Sequence, residues 1–316
     1  MNNPVFSALL PVVLLISVGV FAGRAGWIRA EAIKDLSNLV FMVLTPALLF
    51  RTMSTVHVEQ LNFKPVAMYF VAALLLFAAM LFWLGVNRRA AVLALSVTFS
   101  NTVMIGIPLI GLAYGQTGLV TLFTLISVHA LVLLTLATVV LEMVAAREER
   151  ASGQGGQRHM ALTVLAAVKS GIIHPVPLPI IVGLLFAQTG LVLPEVVDKP
   201  LQLLGSAFGP VALLLVGVTL THAQVGPNLK NALGISLLKN LALPGLVAAL
   251  GLGLGVSGLP LTVMIVTASL PTGANVFLFA QRYEVAQDLV TASMAVSTVL
   301  GLLTITLVMS LVGLLA

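Results

Sequence analysis

The chain has 316 residues, of which 59% are hydrophobic and 8% are charged. A soluble domain carries roughly 25% charged residues, so this composition excludes a large soluble protein and indicates a polytopic membrane protein. A net charge of +5 suggests nucleic acid only in a soluble protein; here it indicates basic loops that orient membrane helices, and no nucleic-acid partner is expected. The absence of cysteine excludes disulfides and thiolate metal sites.

Ten apolar stretches are long enough to cross a bilayer, which takes about 20 residues of helix. The first has no basic n-region and no small-residue cleavage site, so it is predicted to be a span rather than a cleaved signal. In chain order the predicted spans are 4–23, 36–53, 65–84, 91–113, 117–143, 172–190, 202–221, 233–256, 260–281 and 289–315. The sixth is the least regular, because "HPVPLP" holds three prolines near its start.

Lysine and arginine are distributed unevenly between the predicted loops. Eleven lie in the loops that follow odd-numbered spans, and three lie on the opposite face. Basic loops stay in the cytoplasm. We therefore predict a multi-pass protein of the inner (plasma) membrane, with the N- and C-termini on the outer face.

One polar linker, "AAREERASGQGGQR", divides the chain into halves with the same features in the same order. The prediction is a first five-helix repeat over residues 1–144, a cytoplasmic linker over 145–160 and a second repeat over 161–316. Five is an odd number, so the halves must lie in opposite orientations, as in many secondary transporters. The predicted fold class is an all-α polytopic membrane protein with ten transmembrane helices in two inverted repeats.

The fourth span of each half contains helix breakers at mid-depth, in "SNTVMIGIPLIG" and "ASLPTGANVFLFA". Freed backbone groups are tolerated in a membrane only where they face protein or a water-filled cavity. Two interrupted helices at inverted positions can cross there, and their half-helix N-termini suit an anion. The candidate substrate-binding residues are Asn101, Thr102, Gly106, Pro108, Pro271, Thr272, Gly273 and Asn275.

Three cationic or titratable residues leave two interpretations each. His129, near mid-membrane, is either a proton-coupling or substrate-binding group or a neutral ring bonded to a neighbouring carbonyl. Lys239, near the inner end of the eighth span, either snorkels to the interface or attracts an anion on the cytoplasmic side. Arg51 either orients its helix or charges an external vestibule. No acid is predicted at mid-span, which argues against the paired acids of an intramembrane aspartyl protease.

These motifs resemble the auxin efflux carrier family, which includes plant auxin exporters and bacterial carriers assigned to malonate. The similarity rests on "SNTVMIGIP", "PTGANVFLFAQRY", "LTPALLF" and "FGPVALLLVGVTL" and extends over essentially the whole chain. It implies that helices four and nine cross at their prolines and bind substrate there, and it adds Thr45 and Pro46 to the candidate site. It also implies a scaffold of spans 1, 2, 6 and 7 and a transport domain of spans 3–5 and 8–10. His174 departs from the family, which often has asparagine there.

The predicted function is secondary transport of a small organic anion, a mono- or dicarboxylate that is malonate- or auxin-like, by alternating access. A membrane sensor or a channel-like protein that reuses the fold is the alternative. We predict no enzymatic activity, no metal and no cofactor. The expected partners are the anion and the lipid bilayer; a Na⁺ or H⁺ coupling ion and a homodimer are left open.

Overall fold

The computed structural model describes residues 4–151, 160–173 and 175–313, and this part of the chain is helical, without named β-strands. The α-helices are α1 (Pro4–Arg24), α2 (Ala32–Leu39), α3 (Thr45–Met53), α4 (Phe63–Leu84), α5 (Arg88–Thr98), α6 (Ile107–Ala151), α7 (Met160–Ile172), α8 (Pro177–Gln188), α9 (Glu195–Thr221), α10 (Leu229–Leu237), α11 (Leu243–Gly253), α12 (Gly258–Ala268), α13 (Asn275–Arg282) and α14 (Gln287–Gly313).

Seven helical segments in the described ranges are long and apolar enough to cross a membrane. They are Ser7–Arg24, Ala32–Met53, Phe63–Leu84, Thr102–Glu148, Glu195–Thr221, Gly226–Gly253 and Gln287–Gly313, and two shorter apolar helices are Pro177–Gln188 and Gly258–Ala268. Many large apolar side chains on these helices are exposed, as a lipid-facing surface requires. The predicted all-helical, multi-pass membrane protein is confirmed. The number ten and the inverted repeats stay predictions.

Three prolines are accommodated by π-helical turns rather than by breaks. Proline lacks an N–H and clashes with the carbonyl four residues before it, and a widened turn relieves both problems. Such turns join α2 to α3, lead into α6 and join α10 to α11, over Val40–Leu44, Thr102–Gly106 and Leu238–Ala242. In each case the proline, Pro46, Pro108 or Pro244, stands two residues after the turn ends. These prolines therefore lie inside continuous helical segments.

Three boundaries differ from the predicted ones. Within α6 the chain bends at Gly115, whose φ of 58° only glycine adopts readily, and this bend separates the predicted spans four and five. The sixth span consists of a short α8 after a separate α7, because the prolines at its start prevent an uninterrupted helix. The start of the predicted linker is helical, since α6 continues to Ala151. Residues 152–159 and His174 lie outside the described residues.

Helices α1 and α9 pack through glycines. A Cβ atom on Gly19 would overlap the carbonyl of Leu214, and one on Gly217 would overlap the carbonyl of Ile16. Small residues let membrane helices approach closely, which supplies van der Waals contact where no hydrophobic driving force exists. This crossing fixes the first and seventh predicted spans against each other.

Candidate functional site

The first helix break follows α5. The helix ends at Thr98, Phe99 adopts an extended conformation, and helical structure resumes at Thr102. Asn101 stands at the N-cap of the new helical segment, and its side-chain oxygen accepts a hydrogen bond from the N–H of Met104 at 3.2 Å. Asparagine is favoured at this position because it satisfies an N–H that has no partner within the helix. The amide predicted as a ligand group thus also starts the second half-helix.

The second break follows α12, which ends at Ala268, and α13 begins at Asn275. Pro271 lies in the middle of this break and cannot continue a helix. A Cβ atom on Gly273 would lie 2.8 Å from the ring of Phe99 in the first break. Only glycine therefore allows the two breaks to come so close together.

The two breaks meet and exchange backbone hydrogen bonds. The N–H of Asn101 donates to the carbonyl of Pro271 at 2.8 Å, and the N–H of Gly273 donates to the carbonyl of Phe99 at 2.9 Å. These bonds form an isolated antiparallel bridge between Ser100 and Thr272. An unpaired backbone group costs several kcal/mol in hydrocarbon. Each break thus supplies the partners that the other has lost.

One pocket borders the first turn of both half-helices that leave the breaks. Its walls combine the two N-terminal turns with residues from the second, fifth and sixth predicted spans. The lining residues are Phe41, Phe99, Ser100, Asn101, Thr102, Val103, Met104, Ile126, His129, Ala130, Val176, Pro177, Gly273, Ala274 and Asn275. Helix N-termini present N–H groups and the positive end of the helix dipole, so this pocket is chemically suited to an anion.

Five of the predicted residues lie at this pocket: Asn101, Thr102, His129, Gly273 and Asn275. The remaining candidates do not line it. The hydroxyl of Thr272 donates to the carbonyl of Ser96 at 2.9 Å, and that of Thr45 donates to the carbonyl of Val40 at 2.7 Å. Four other candidates affect the backbone or the packing and do not line the pocket: Pro46, Gly106, Pro108 and Pro271.

Pro108 does not lie at the point where the breaks meet, in contrast to the expectation from the family resemblance. The break is at residues 99–101, and Pro108 follows the π-turn Thr102–Gly106. Its ring packs near Gly209 of α9. The physical reason is that a π-turn absorbs the steric clash of the proline, so the backbone does not need to open there. Pro271, by contrast, lies directly in the contact.

Lys239 does not snorkel to the interface. Its side chain is fully buried, and its amino group donates to the carbonyls of Ala268 at 2.7 Å and Leu270 at 2.6 Å. These carbonyls end α12 and begin the second break. The N–H of Thr272, which would have been the helical partner of the Ala268 carbonyl, donates instead to the hydroxyl of Ser297 at 3.2 Å. Lys239 replaces the missing donors at the negative end of this helix.

A buried chain of polar side chains that the sequence did not predict lies beside the first break. The hydroxyl of Tyr69, on α4, lies 2.9 Å from the hydroxyl of Ser100 and 3.4 Å from Nε2 of His129. All three side chains are at most 2% exposed. The available signal was a single tyrosine hydroxyl in the charge-free stretch "VAMYFVAALLL", which needs a hydrogen-bond partner when it is buried.

Two carboxylates have partners away from the pocket. Glu142, near the C-terminal end of α6, is buried and accepts a hydrogen bond from the hydroxyl of Tyr283 at 2.9 Å. Arg51 forms a two-bond ion pair with Asp198, with N–O distances of 2.7 and 3.0 Å. This pair borders a separate cavity that also includes His57. Arg51 thus ties α3 to α9 and has its charge paired there.

A pocket bordered by two interrupted membrane helices is typical of secondary transporters. The chain belongs to the family described as membrane transport protein, whose model matches residues 4–309. It is 26% identical over 306 residues to a protein of Rhizobium meliloti (strain 1021) whose name marks it as a candidate malonate transporter, covering 94% of this chain and 92% of that protein. The resemblance to the auxin efflux carriers is thereby confirmed at the level of the family.

Two further relatives extend over the same part of the chain. The uncharacterized transporter YfdV of Escherichia coli (strain K12) is 24% identical over 304 residues, which cover 93% of this chain and 92% of that protein. Auxin efflux carrier component 8 of Arabidopsis thaliana is 21% identical over 346 aligned positions, with 94% of each chain covered. The similarity includes both helix breaks.

Proposed function

We propose that this protein is a secondary transporter that moves a small organic anion, a mono- or dicarboxylate, across the inner membrane by alternating access. The anion binds where the two breaks meet. The observation that carries this proposal is that two half-helix N-termini border one pocket, each with an asparagine in its first turn, Asn101 and Asn275. Carboxylate oxygens accept the hydrogen bonds that such N–H groups and amides donate.

The buried Lys239 supports an anion rather than a cation or a neutral substrate. Its bonds of 2.6 and 2.7 Å are as short as charge-assisted hydrogen bonds. The ion pairs in the described part of the chain are Arg51–Asp198 and Arg88–Glu148, and neither involves Lys239. A buried positive charge without a carboxylate partner is costly. An anion bound near the second break would reduce that cost.

The lining of the pocket supports carboxylates with a short apolar body. Apolar side chains also line the pocket, among them Phe41, Ile126 and Val176. A second carboxylate that reached these residues would lose its hydration without gaining a partner. We therefore expect a monocarboxylate such as butyrate to bind at least as tightly as malonate, the compound in the name of one relative.

We also propose the architecture of two inverted five-helix repeats, with a scaffold of spans 1, 2, 6 and 7 and a moving transport domain. The pocket supports this division, because Phe41, Val176 and Pro177 come from scaffold spans and the other lining residues come from the transport domain. An anion held between the two parts would cross as the transport domain moves.

Topology is tested by tags. Both termini should be labelled from outside the cell, and a tag at Gly155 should be labelled only from the cytoplasm. A Gly155 tag that reacts from outside would overturn the span count and the inverted repeat together.

Transport is tested by counterflow in proteoliposomes. Labelled malonate and labelled butyrate should each exchange against the same unlabelled anion, with no exchange in protein-free vesicles. The same assay with and without Na⁺, and at two pH values, identifies the coupling ion. A lack of exchange over a carboxylate panel, with protein that still unfolds cooperatively, would reject the proposed function.

A further inference from the structure

The ring of His129 lines the pocket and contacts the buried hydroxyl of Tyr69, which in turn contacts the hydroxyl of Ser100. It packs against Phe99 with ring centroids 4.5 Å apart, and it is also near Tyr69 and Phe70, at 5.8 and 6.4 Å. Nε2 faces the Tyr69 hydroxyl at 3.4 Å. Among the residues that the structure describes, Nδ1 has no hydrogen-bond partner. Since His129 lines the pocket and its Nε2 faces Tyr69, we infer that Nδ1 is the ring nitrogen on the pocket side.

No carboxylate contacts this ring within the described chain, so the neutral imidazole is the form expected in a buried site. A neutral imidazole carries one N–H donor and one acceptor, and the partner of one nitrogen decides the role of the other. The tautomer of His129 therefore depends on the direction of its bond with Tyr69.

Counting the donors and acceptors of the three side chains selects one direction for the hydrogen bond between Tyr69 and His129. Within the described part of the chain, Tyr69 is the partner of the Ser100 hydroxyl, which is 1% exposed. If Tyr69 donated to Ser100, the buried Ser100 proton would have no acceptor in the described structure, at a cost of about 1–3 kcal/mol. If Ser100 donates to Tyr69 and Tyr69 donates to Nε2, each hydroxyl proton has an acceptor. That arrangement leaves the ring proton on Nδ1.

We propose that His129 recognises the substrate carboxylate through a neutral Nδ1–H donor, and that Tyr69 and Ser100 are positioning residues that fix this tautomer. The inference rests on the proposed function and deepens it. The site takes an ionised carboxylate without taking up a proton at His129, because the ring already holds its single proton on the pocket side. His129 thus adds a third donor beside the two half-helix N-termini.

The test uses two substitutions that separate the ring nitrogens. In His129→Asn the amide lies near the former Nδ1 position, whereas in His129→Gln it lies near the former Nε2 position. With malonate and butyrate as probes of the purified protein, we expect Kd within about threefold of wild type for Asn and at least tenfold weaker for Gln. Tyr69→Phe should weaken binding about three- to tenfold, and Tyr114→Phe, which removes a tyrosine hydroxyl with no described partner, should not.

A second readout reports the tautomer directly and requires no substrate. In protein labelled with [15N]histidine, the His129 signals are identified by their loss in His129→Asn. We expect a protonated Nδ1 and an unprotonated Nε2, with this pattern lost in Tyr69→Phe. An Nε2–H tautomer, an imidazolium, or equal losses in the Asn and Gln variants would overturn the inference. Failure of wild type to bind either probe, with the Nδ1–H tautomer present, would count against the proposed function instead.

Discussion

The two helix breaks are supported by different chemistry. At the first break, the hydroxyl of Tyr69 contacts the side chain of Ser100, and every group in the contact is neutral. At the second, the amino group of Lys239 binds the main-chain carbonyls of Ala268 and Leu270. Tyr69 and Lys239 are both fully buried and come from helices packed beside the breaks. Ser100 and its partner Tyr69 lie at the pocket, whereas Lys239 is not among the residues that line it.

The two sides of the same backbone contact therefore have different electrostatic surroundings. Carbonyls that end a helix carry partial negative charge, and a lysine offsets it where a hydroxyl would offset much less. The pocket itself is lined by N-terminal turns and amides, with no lysine or arginine among its described residues. The amino group of Lys239 therefore supplies hydrogen-bond donors to the second break without being part of the pocket wall.

Removal of the lysine should have the largest effect. Lys239→Met leaves two buried carbonyls without donors, at a cost of about 2–5 kcal/mol. We expect the midpoint of thermal unfolding in detergent to fall by roughly 5–15 °C and anion binding to be lost. Lys230→Met is the matched control, since Lys230 is exposed on the same helical segment. If the Lys239→Met protein unfolds at the wild-type temperature, the hydrogen bonds from Lys239 to the two carbonyls do not stabilise the second break.

The asparagines should show the next largest effect, on affinity. Asn101→Ala or Asn275→Ala removes a hydrogen bond to a charged ligand, worth about 1.5–3 kcal/mol, or roughly ten- to a hundredfold in Kd. Asn87→Ala is the control, because Asn87 also caps a helix and accepts from the N–H of Ala90 at 2.8 Å, away from the pocket. Equal losses of affinity in all three variants would indicate a general loss of fold.

Gly273→Ala tests the closeness of the breaks. The new Cβ atom would lie 2.8 Å from the ring of Phe99, so the ring or the backbone must shift. We expect an affinity loss of about tenfold, equivalent to about 1–2 kcal/mol of strain. In Gly245→Ala the new Cβ atom meets nothing within 4 Å, and binding should be unchanged. Equal Kd values for the two variants would show that anion binding does not require the two breaks to be this close together.

Substitution of the two prolines should affect anion binding differently, and this difference is the smallest of the expected effects. Pro271→Ala restores an N–H within the contact and should weaken anion binding severalfold. Pro108→Ala lies beyond the break, so it should change thermal stability by about 1 kcal/mol in either direction and leave Kd within about twofold. Parallel titrations and melting curves of the two variants decide this. A larger loss of binding in Pro108→Ala than in Pro271→Ala would show that the anion site extends from the first break toward Pro108 and α9.

The sequence predicted the existence of both breaks, because asparagine, glycine and proline together at mid-span rarely permit an uninterrupted helix. It misplaced the first one. Proline composition alone does not reveal whether a π-turn will absorb the clash, and the same pattern recurs before Pro46 and Pro244. The location of Asn101 at an N-cap becomes clear only once the helix boundary is known.

The burial of Lys239 also could not be predicted from the sequence. Its distance along the span suggested the interface, but depth along a helix does not tell which neighbour a side chain faces. Its partners are main-chain carbonyls about 30 residues away, and a carbonyl has no residue-specific signal. Tyr69 and His129 likewise gain meaning only from their proximity to Ser100, which the packing of α4 and α6 provides.

The backbone bonds between the breaks also bear on how the chain is made. Residues 99–101 enter the membrane long before residues 269–274 have been synthesised, so the N–H of Asn101 and the carbonyl of Phe99 must wait for their partners. Until then these groups need water, a lipid headgroup or an insertion factor. The first five predicted spans therefore leave these two backbone groups without their partners, and the ninth predicted span supplies both.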